Sequence, residues 1–114
     1  MEKARIIQEL VPGKQITLAH VIANPDASIY KEFHEEIINK NSAIGVLTIT
    51  PPETSIIIAD ISIKAAGVQI VSINKSSGSL ILAGTVSSVE AAVAAVLDYV
   101  ENKLGFEVCE LTKT

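Results

Sequence analysis

One short predicted helix carries apolar side chains that point in nearly every direction around its axis. An ordinary surface helix needs a single apolar stripe, so a helix that is apolar on several sides must be buried on several sides. One crowded core would satisfy this requirement, and so would contact with another subunit. We favour the subunit contact, because a chain of 114 residues has little else to cover a second side. The side chains concerned are Ile56, Ile57, Ile58, Ile61 and Ile63.

Length and composition predict one domain with an aliphatic core. The chain is 48% apolar but only 4% aromatic, and 114 residues suit a single domain. A net charge of -4 with Arg5 as its one arginine argues against binding to nucleic acid or to anionic membranes. Cys109 is the single cysteine, so the sequence predicts no intrachain disulfide and favours the cytoplasm. The first 20 residues show no signal peptide pattern, and no apolar run is long enough for a membrane span.

Strand and helix patterns alternate along the chain and predict a two-layer, ferredoxin-like α/β sandwich. Residues 4–11 could be strand or helix, and the proline and glycine that follow end them in a turn. The predicted order is then strand 15–23, helix 24–40, strand 43–49, helix 51–66, a hairpin of strands 68–74 and 80–86, helix 87–105 and a short strand within 106–111.

Several local signals set the predicted helix ends and strand faces. Asn24, Thr50 and Ser87 are expected N-caps, the last two in capping boxes, and Gly67 is expected to end a helix in a left-handed conformation. Alternation in the first strand places one set of side chains on a single face, with Thr17, Ala19 and Val21 on the other. That first set is Ile16, Leu18, His20 and Ile22.

Catalytic and metal-binding patterns are missing from the sequence, so we expect neither an enzyme nor a cofactor. His20 and His34 have no partner at metal-ligand spacing, and no serine stands in a nucleophile motif. His20 is expected in the core or at an interface, and His34 on the surface. The polar segment 74–79 holds a single glycine, which suits a hairpin turn better than a phosphate-binding loop. In a ring-shaped assembly such a loop could surround a central opening.

Three segments together resemble the bacterial microcompartment shell domain, or BMC domain. They are AIGVLTITP at 43–51, IKAA at 63–66 and GTVSSVEAA at 84–92. In the common form of that domain the Ala-Ile-Gly strand opens the chain, whereas about 42 residues precede it here, so the chain resembles the circularly permuted subclass. The run IIQELVPGKQITLAH at 6–20 and the ending LTKT are similar to the EutS/PduU type of ethanolamine, propanediol and choline utilisation compartments.

This resemblance implies a cyclic homo-hexamer that packs edge to edge with other shell proteins around encapsulated enzymes. Residues 14–114 would form one permuted BMC domain, and residues 1–13 a strand that joins a six-stranded barrel over the hexamer centre. Lys64 matches the lysine at the hexamer edge, although the dipole of its own helix would also explain a cation there. The implied barrel residues are Arg5, Ile6, Ile7, Gln8, Glu9, Leu10 and Val11.

Two departures from the family pattern affect the implied pore and shape. Ser42 stands where some relatives have glycine, a position that matters for a flat or bent hexamer, and we expect a flat one. The implied pore-region loop, Asn74, Lys75, Ser76, Ser77 and Gly78, replaces an Asp-Arg-Phe pattern.

The main alternative is an oligomeric domain that senses a small molecule, because folds of this class host both functions. A small oligomeric enzyme would need convergent polar groups, which the sequence does not offer.

Overall fold

A single mixed β-sheet with two helices packed on one face forms the described part of the molecule. The computed structural model describes residues 13–33 and 42–114. Its strands are β1 (Gln15–Ile22), β2 (Ala43–Thr50), β3 (Gln69–Asn74), β4 (Ser79–Gly84), β5 (Glu107–Val108) and β6 (Thr112–Lys113), and its helices are α1 (Ser55–Ala65) and α2 (Val86–Asn102). Short 3₁₀ helices span Ala27–Glu32 and Pro52–Thr54.

The strand order in the sheet is β3-β4-β2-β1-β5, and β6 also pairs with β1. Neighbours among the first four strands are antiparallel, whereas β5 and β6 run parallel to β1 on its outer edge. β2 therefore lies between two partners and under the helices, which explains its nearly continuous apolar sequence. The predicted order from β2 to α2 and the predicted hairpin of β3 and β4 are confirmed.

A β-bulge in β1 changes which side chains face the core. The pairing with β2 shifts register between Ile16 and Leu18. Each side chain after the shift therefore points to the face opposite to the one it would take in a regular strand. Ile16, Ala19 and Val21 are buried against the helices, while Leu18 is exposed. The prediction that Ile16 shares its face with Leu18, His20 and Ile22 is therefore wrong.

The segment after β1 forms a short 3₁₀ helix that begins later than predicted. Asp26, and not Asn24, caps it: the Asp26 carboxylate accepts hydrogen bonds from the Ser28 amide at 3.0 Å and the Ser28 hydroxyl at 2.6 Å. These bonds hold the pKa of Asp26 below its usual value of 3.8. The 3₁₀ helix ends at Glu32, and most of the remaining predicted helix, including His34, lies outside the described residues.

The ends of α1 differ from the predicted ones. Thr50 pairs with Gln15 inside the sheet, so it does not cap a helix, and α1 begins only at Ser55 after the 3₁₀ turn. At the other end Ala66 is already extended, and Gly67 is not left-handed. The chain therefore leaves α1 directly into β3 without a glycine cap.

α2 packs its predicted apolar stripe onto the sheet. Thr85 caps it by accepting a hydrogen bond from the Ser88 amide at 3.1 Å, so the cap predicted at Ser87 is wrong. Gly45 of β2 lets the helix approach closely, because a Cβ at this position would lie 2.8 Å from Val89 Cγ1. The buried stripe is Val89, Ala92, Val93, Val96 and Val100.

The opposite face of the sheet carries a second, smaller apolar cluster. Tyr30 and Phe33 from the 3₁₀ helix pack against Ile44 and Ala83 of the sheet. The Tyr30 hydroxyl donates a hydrogen bond to the Ser42 carbonyl at 2.7 Å, and desolvation raises the pKa of this phenol. These contacts anchor the 3₁₀ segment beside the start of β2.

Candidate assembly surface

The outer face of α1 exposes large apolar side chains around a pair of opposite charges. Ile56, Ile57 and Ile63 keep 51%, 47% and 54% of their surface exposed, whereas Ile58 is fully buried. Ile61 is partly buried against the core. The isoleucines of α1 therefore point both inward and outward, as the sequence predicted. We use the term α1 outer face for Ile56, Ile57, Asp60, Ile63 and Lys64.

Lys64, the predicted edge residue, forms an ion pair with Asp60 one helical turn earlier. Lys64 Nζ lies 2.9 Å from Asp60 Oδ2, and the two side chains are 75% and 60% exposed. The hydrogen bond to Asp60 and the charge of Asp60 raise the pKa of Lys64 above its usual 10.5, and Tyr99 of α2 acts in the same direction. Lys64 is thus a fully charged and accessible cation. The i, i+4 spacing of Asp60 and Lys64 could have predicted this pair from the sequence.

The loop between β3 and β4 is held by its own first side chain. Asn74 Oδ1 accepts hydrogen bonds from the amides of Ser76 at 2.9 Å and Ser77 at 3.0 Å. Gly78 has a φ of 81° and is buried, whereas Lys75, Ser76 and Ser77 are exposed. Because Asn74 already engages two backbone amides, the loop presents hydroxyl groups and one ammonium group to its surroundings.

His20 holds the last strand of the sheet through both nitrogens of its imidazole ring. Its Nδ1 lies 2.6 Å from the Thr112 hydroxyl and its Nε2 2.9 Å from the Thr114 hydroxyl. Lys113 Nζ lies 2.6 Å from Glu90 Oε2 of α2, which ties the same strand to the helical layer. The prediction placed His20 in the core or at an interface, and the structure shows it half-buried on β1, between Val46 of β2 and Thr112 of β6.

The remaining predicted positions are dispersed over the molecule. Ser42 is half-buried immediately before β2, and the proposed barrel segment 5–11 lies outside the described residues. Among residues 13–33 and 42–114, no cluster of His, Cys, Asp and Glu could hold a metal ion. No helix in that part of the chain has the length and apolarity to cross a membrane.

A family model for the BMC domain matches residues 43–110. The chain is 47% identical over 110 residues to the microcompartment shell protein CutR of Streptococcus intermedius, covering 96% of this chain and 92% of CutR. It is 45% identical over 114 residues to the shell protein EutS of Salmonella typhimurium, covering all of both chains. The chain belongs to the bacterial microcompartment shell proteins.

Solved structures of shell proteins share the fold. A CutR flat hexamer matches with a TM-score of 0.85 at 44% identity, over all of this chain and 93% of that one. A CutR screw form matches with a TM-score of 0.82 at 44% identity, over 90% of this chain and all of that one. A fused permuted hexameric shell protein of the RMM microcompartment matches with a TM-score of 0.67 at 22% identity, over 75% of this chain and 45% of that one.

The sheet order and helix placement are accordingly those of a permuted BMC domain, as the sequence predicted. The role of this shell protein is structural, and none of these similarities supports the alternative of a sensing domain.

Proposed function

We propose that this shell protein forms a cyclic homo-hexamer and that its hexamers tile edge to edge with other shell proteins into the layer around a cytoplasmic microcompartment. The half-exposed isoleucines of α1 are the observation that carries this proposal, because apolar surface of this kind is typically covered in an assembly. The match to a CutR flat hexamer over the full length of this chain supports the same conclusion. The protein has no catalytic role in this proposal.

Two further parts of the proposal concern the centre of the hexamer. Residues 5–11 of six copies would close into a barrel over the centre, which would pair the edges of six short strands that are not stable alone. Asn74, Lys75, Ser76, Ser77 and Gly78 would line the region of the opening, where six Lys75 side chains would favour anionic metabolites. An electron cryomicroscopy map of the hexamer tests both parts, and an open centre with the loops at the rim would contradict the barrel.

Lys64 is proposed as the contact between neighbouring hexamers, and Ser42 as compatible with a flat hexamer. The accessible charge of Lys64 supports its role, and the Ser42 carbonyl is already fixed by Tyr30.

Encapsulated enzymes are proposed as partners on one side of the layer. A pull-down with purified lumen enzymes tests that contact, and recovery of none of them would count against it.

The native mass at low and high protein concentration, with electron microscopy of the same samples, is the test of the whole proposal. A hexamer that grows into sheets is the expected result. Lys64→Ala should keep the hexamer and lose the sheets, while Lys103→Ala, an exposed lysine beyond the end of α2, should keep both. A chain that stays monomeric at every concentration would overturn the proposal.

A further inference from the structure

The inner face of α1 carries two buried serines, and they differ in their hydrogen bonds. The Ser62 hydroxyl donates to the Ile58 carbonyl oxygen at 2.8 Å. Ser55, in the first turn, is fully buried, and its hydroxyl has no hydrogen-bond partner within residues 13–33 and 42–114. A buried hydroxyl without a partner destabilises the conformation that contains it, because it has lost its hydrogen bonds to water. Ser55 therefore favours any conformation in which its oxygen is paired.

The start of α1 also lacks a side-chain cap. The 3₁₀ turn Pro52–Thr54 runs directly into α1, and neither of the described residues that precede these two helices caps them with its side chain. Backbone hydrogen bonds from the amides of Thr54 and Ser55 hold the turn instead. Serine is one of the preferred N-cap residues. Ser55 can take that role if α1 begins one residue later, at Ile56.

The later start gives the Ser55 hydroxyl a partner. As an N-cap it accepts a hydrogen bond from the amide of Ile57 or Ile58, and the backbone bonds of the turn are lost in exchange. An N-cap residue has an extended backbone, whereas Ser55 in the structure is helical, with φ of -56° and ψ of -30°. The change therefore rotates the chain at Ser55 and moves residues 52–54, while α1 from Ile56 onward stays in place.

The turn that moves in this change lies against the β3–β4 loop. A Cβ built on Gly78 would lie 3.1 Å from the Pro52 Cα, so the two backbones are in close contact. On its other side the Gly78 carbonyl accepts the hydrogen bond from the Ile49 amide at the end of β2. The loop is thus enclosed between β2 and the turn. Once the turn has moved, the loop keeps its bond to β2 and is free on the side of Pro52.

We propose that the turn Pro52–Thr54 is a latch on the β3–β4 loop, and that the Ser55 hydroxyl releases it by capping α1 when the turn swings out. The structure shows the latched state. The released state is the minor one, at about 0.1–10% of the molecules, as is typical of two conformations close in free energy. Its consequence for the opening rests on the proposed function, in which this loop lies at the hexamer centre and Lys75 would move with it.

Methyl relaxation-dispersion NMR with labelled isoleucines tests the latch, because it detects exchange between conformations on the microsecond to millisecond timescale. It is applied to the oligomer as purified. The Ile56 methyl group reports on the start of α1, and the Ile73 methyl group reports on the base of the loop. Ser55→Ala removes both the unpaired hydroxyl and the alternative cap. Ser62→Ala is the matched control, because it removes a partnered hydroxyl from the same buried face of the same helix.

We expect the wild type to show exchange at both methyl groups with one rate and one minor population. Ser55→Ala should lower that population by at least about tenfold at both positions, whereas Ser62→Ala should leave it within about threefold of the wild type. Hydrogen exchange of the segments 52–58 and 74–79 should slow in parallel in Ser55→Ala. No exchange in the wild type, exchange at Ile56 without Ile73, or exchange that persists in Ser55→Ala would each overturn the latch. A chain that never forms hexamers would overturn the proposed function, while the same measurements on that chain would still decide the latch.

Discussion

The amide of Ile49 donates a hydrogen bond to the carbonyl oxygen of Gly78 across 2.9 Å, which fastens the β3–β4 loop to the end of β2. The loop cannot move away from β2 without losing this bond. It is also fixed internally, because Gly78 donates to the Asn74 carbonyl at 2.8 Å. The side chains that the loop presents therefore stand on a backbone that is held at both ends.

Gly78→Ala is expected to destabilise the fold strongly. The residue has a φ of 81°, and a Cβ there would lie 2.0 Å from the Ile49 carbonyl oxygen. Strain and displacement together should cost about 2–4 kcal/mol in the free energy of unfolding, measured by urea denaturation at fixed protein concentration. Gly67→Ala is the control, because no atom lies within 4 Å of its Cβ, and it should be neutral or slightly stabilising. Equal effects of the two substitutions would contradict the placement of the loop.

Thr85→Ala should weaken the start of α2. Its hydroxyl is the acceptor for the Ser88 amide, so the substitution should lower the free energy of unfolding by about 1 kcal/mol. Ser87→Ala should change it by less than half as much, because Ser87 does not accept from the helix backbone. Thermal denaturation of both variants at one concentration measures the difference. A larger loss for Ser87→Ala would restore the cap predicted from the sequence.

His20→Ala is expected to loosen the last strand. The substitution removes both side-chain hydrogen bonds to Thr112 and Thr114, so the Thr114 amide, which donates to the Val21 carbonyl at 2.9 Å, should exchange with solvent faster. Two such bonds are together worth about 1–3 kcal/mol. Hydrogen exchange followed by NMR measures the effect, with Thr17→Ala at the bulge of the same strand as the control. An unchanged exchange rate at Thr114 would show that β6 is held without His20.

Asp26 should titrate below pH 3.8. Its pKa is lowered by the Ser28 hydroxyl and amide, so the folded state binds this proton less readily than the unfolded state. The stabilisation from this carboxylate is therefore present above pH 3.8 and is lost as the pH falls through the lower folded pKa. NMR titration of the Asp26 carboxyl carbon measures the value, and Ser28→Ala should move it back toward 3.8. An identical pKa in both proteins would rule out the Ser28 cap.

Strong local patterns predicted most of the fold. The apolar run of β2, the stripe of α2 and the polar loop between β3 and β4 each depend on neighbours within a few residues. The faces of β1 could not be predicted in this way, because the bulge at Ile16 and Leu18 depends on pairing with a strand more than 20 residues away. The α2 cap was wrong because Thr85 and Ser87 offer similar hydroxyls two residues apart, and only the folded backbone distinguishes them.

The candidate surface was partly predictable, because part of it follows from local patterns in the sequence. The surplus of isoleucines in α1 and the position of Lys64 are visible in the sequence, and the Asp60 partner follows from i, i+4 spacing. The contacts of His20 with Thr112 and Thr114 span more than 90 residues, so no local pattern could have identified them.

The close approach of α2 to Gly45 bears on the mechanics of an assembled layer. With Val89 so near the glycine that no Cβ fits between them, the helix and the central strand have no room to slide past each other. Well-packed protein interiors resist compression, so each copy should behave as a stiff plate. Curvature in a layer of such copies would then arise from the angles at which neighbouring copies meet. The interior of each copy would stay unchanged.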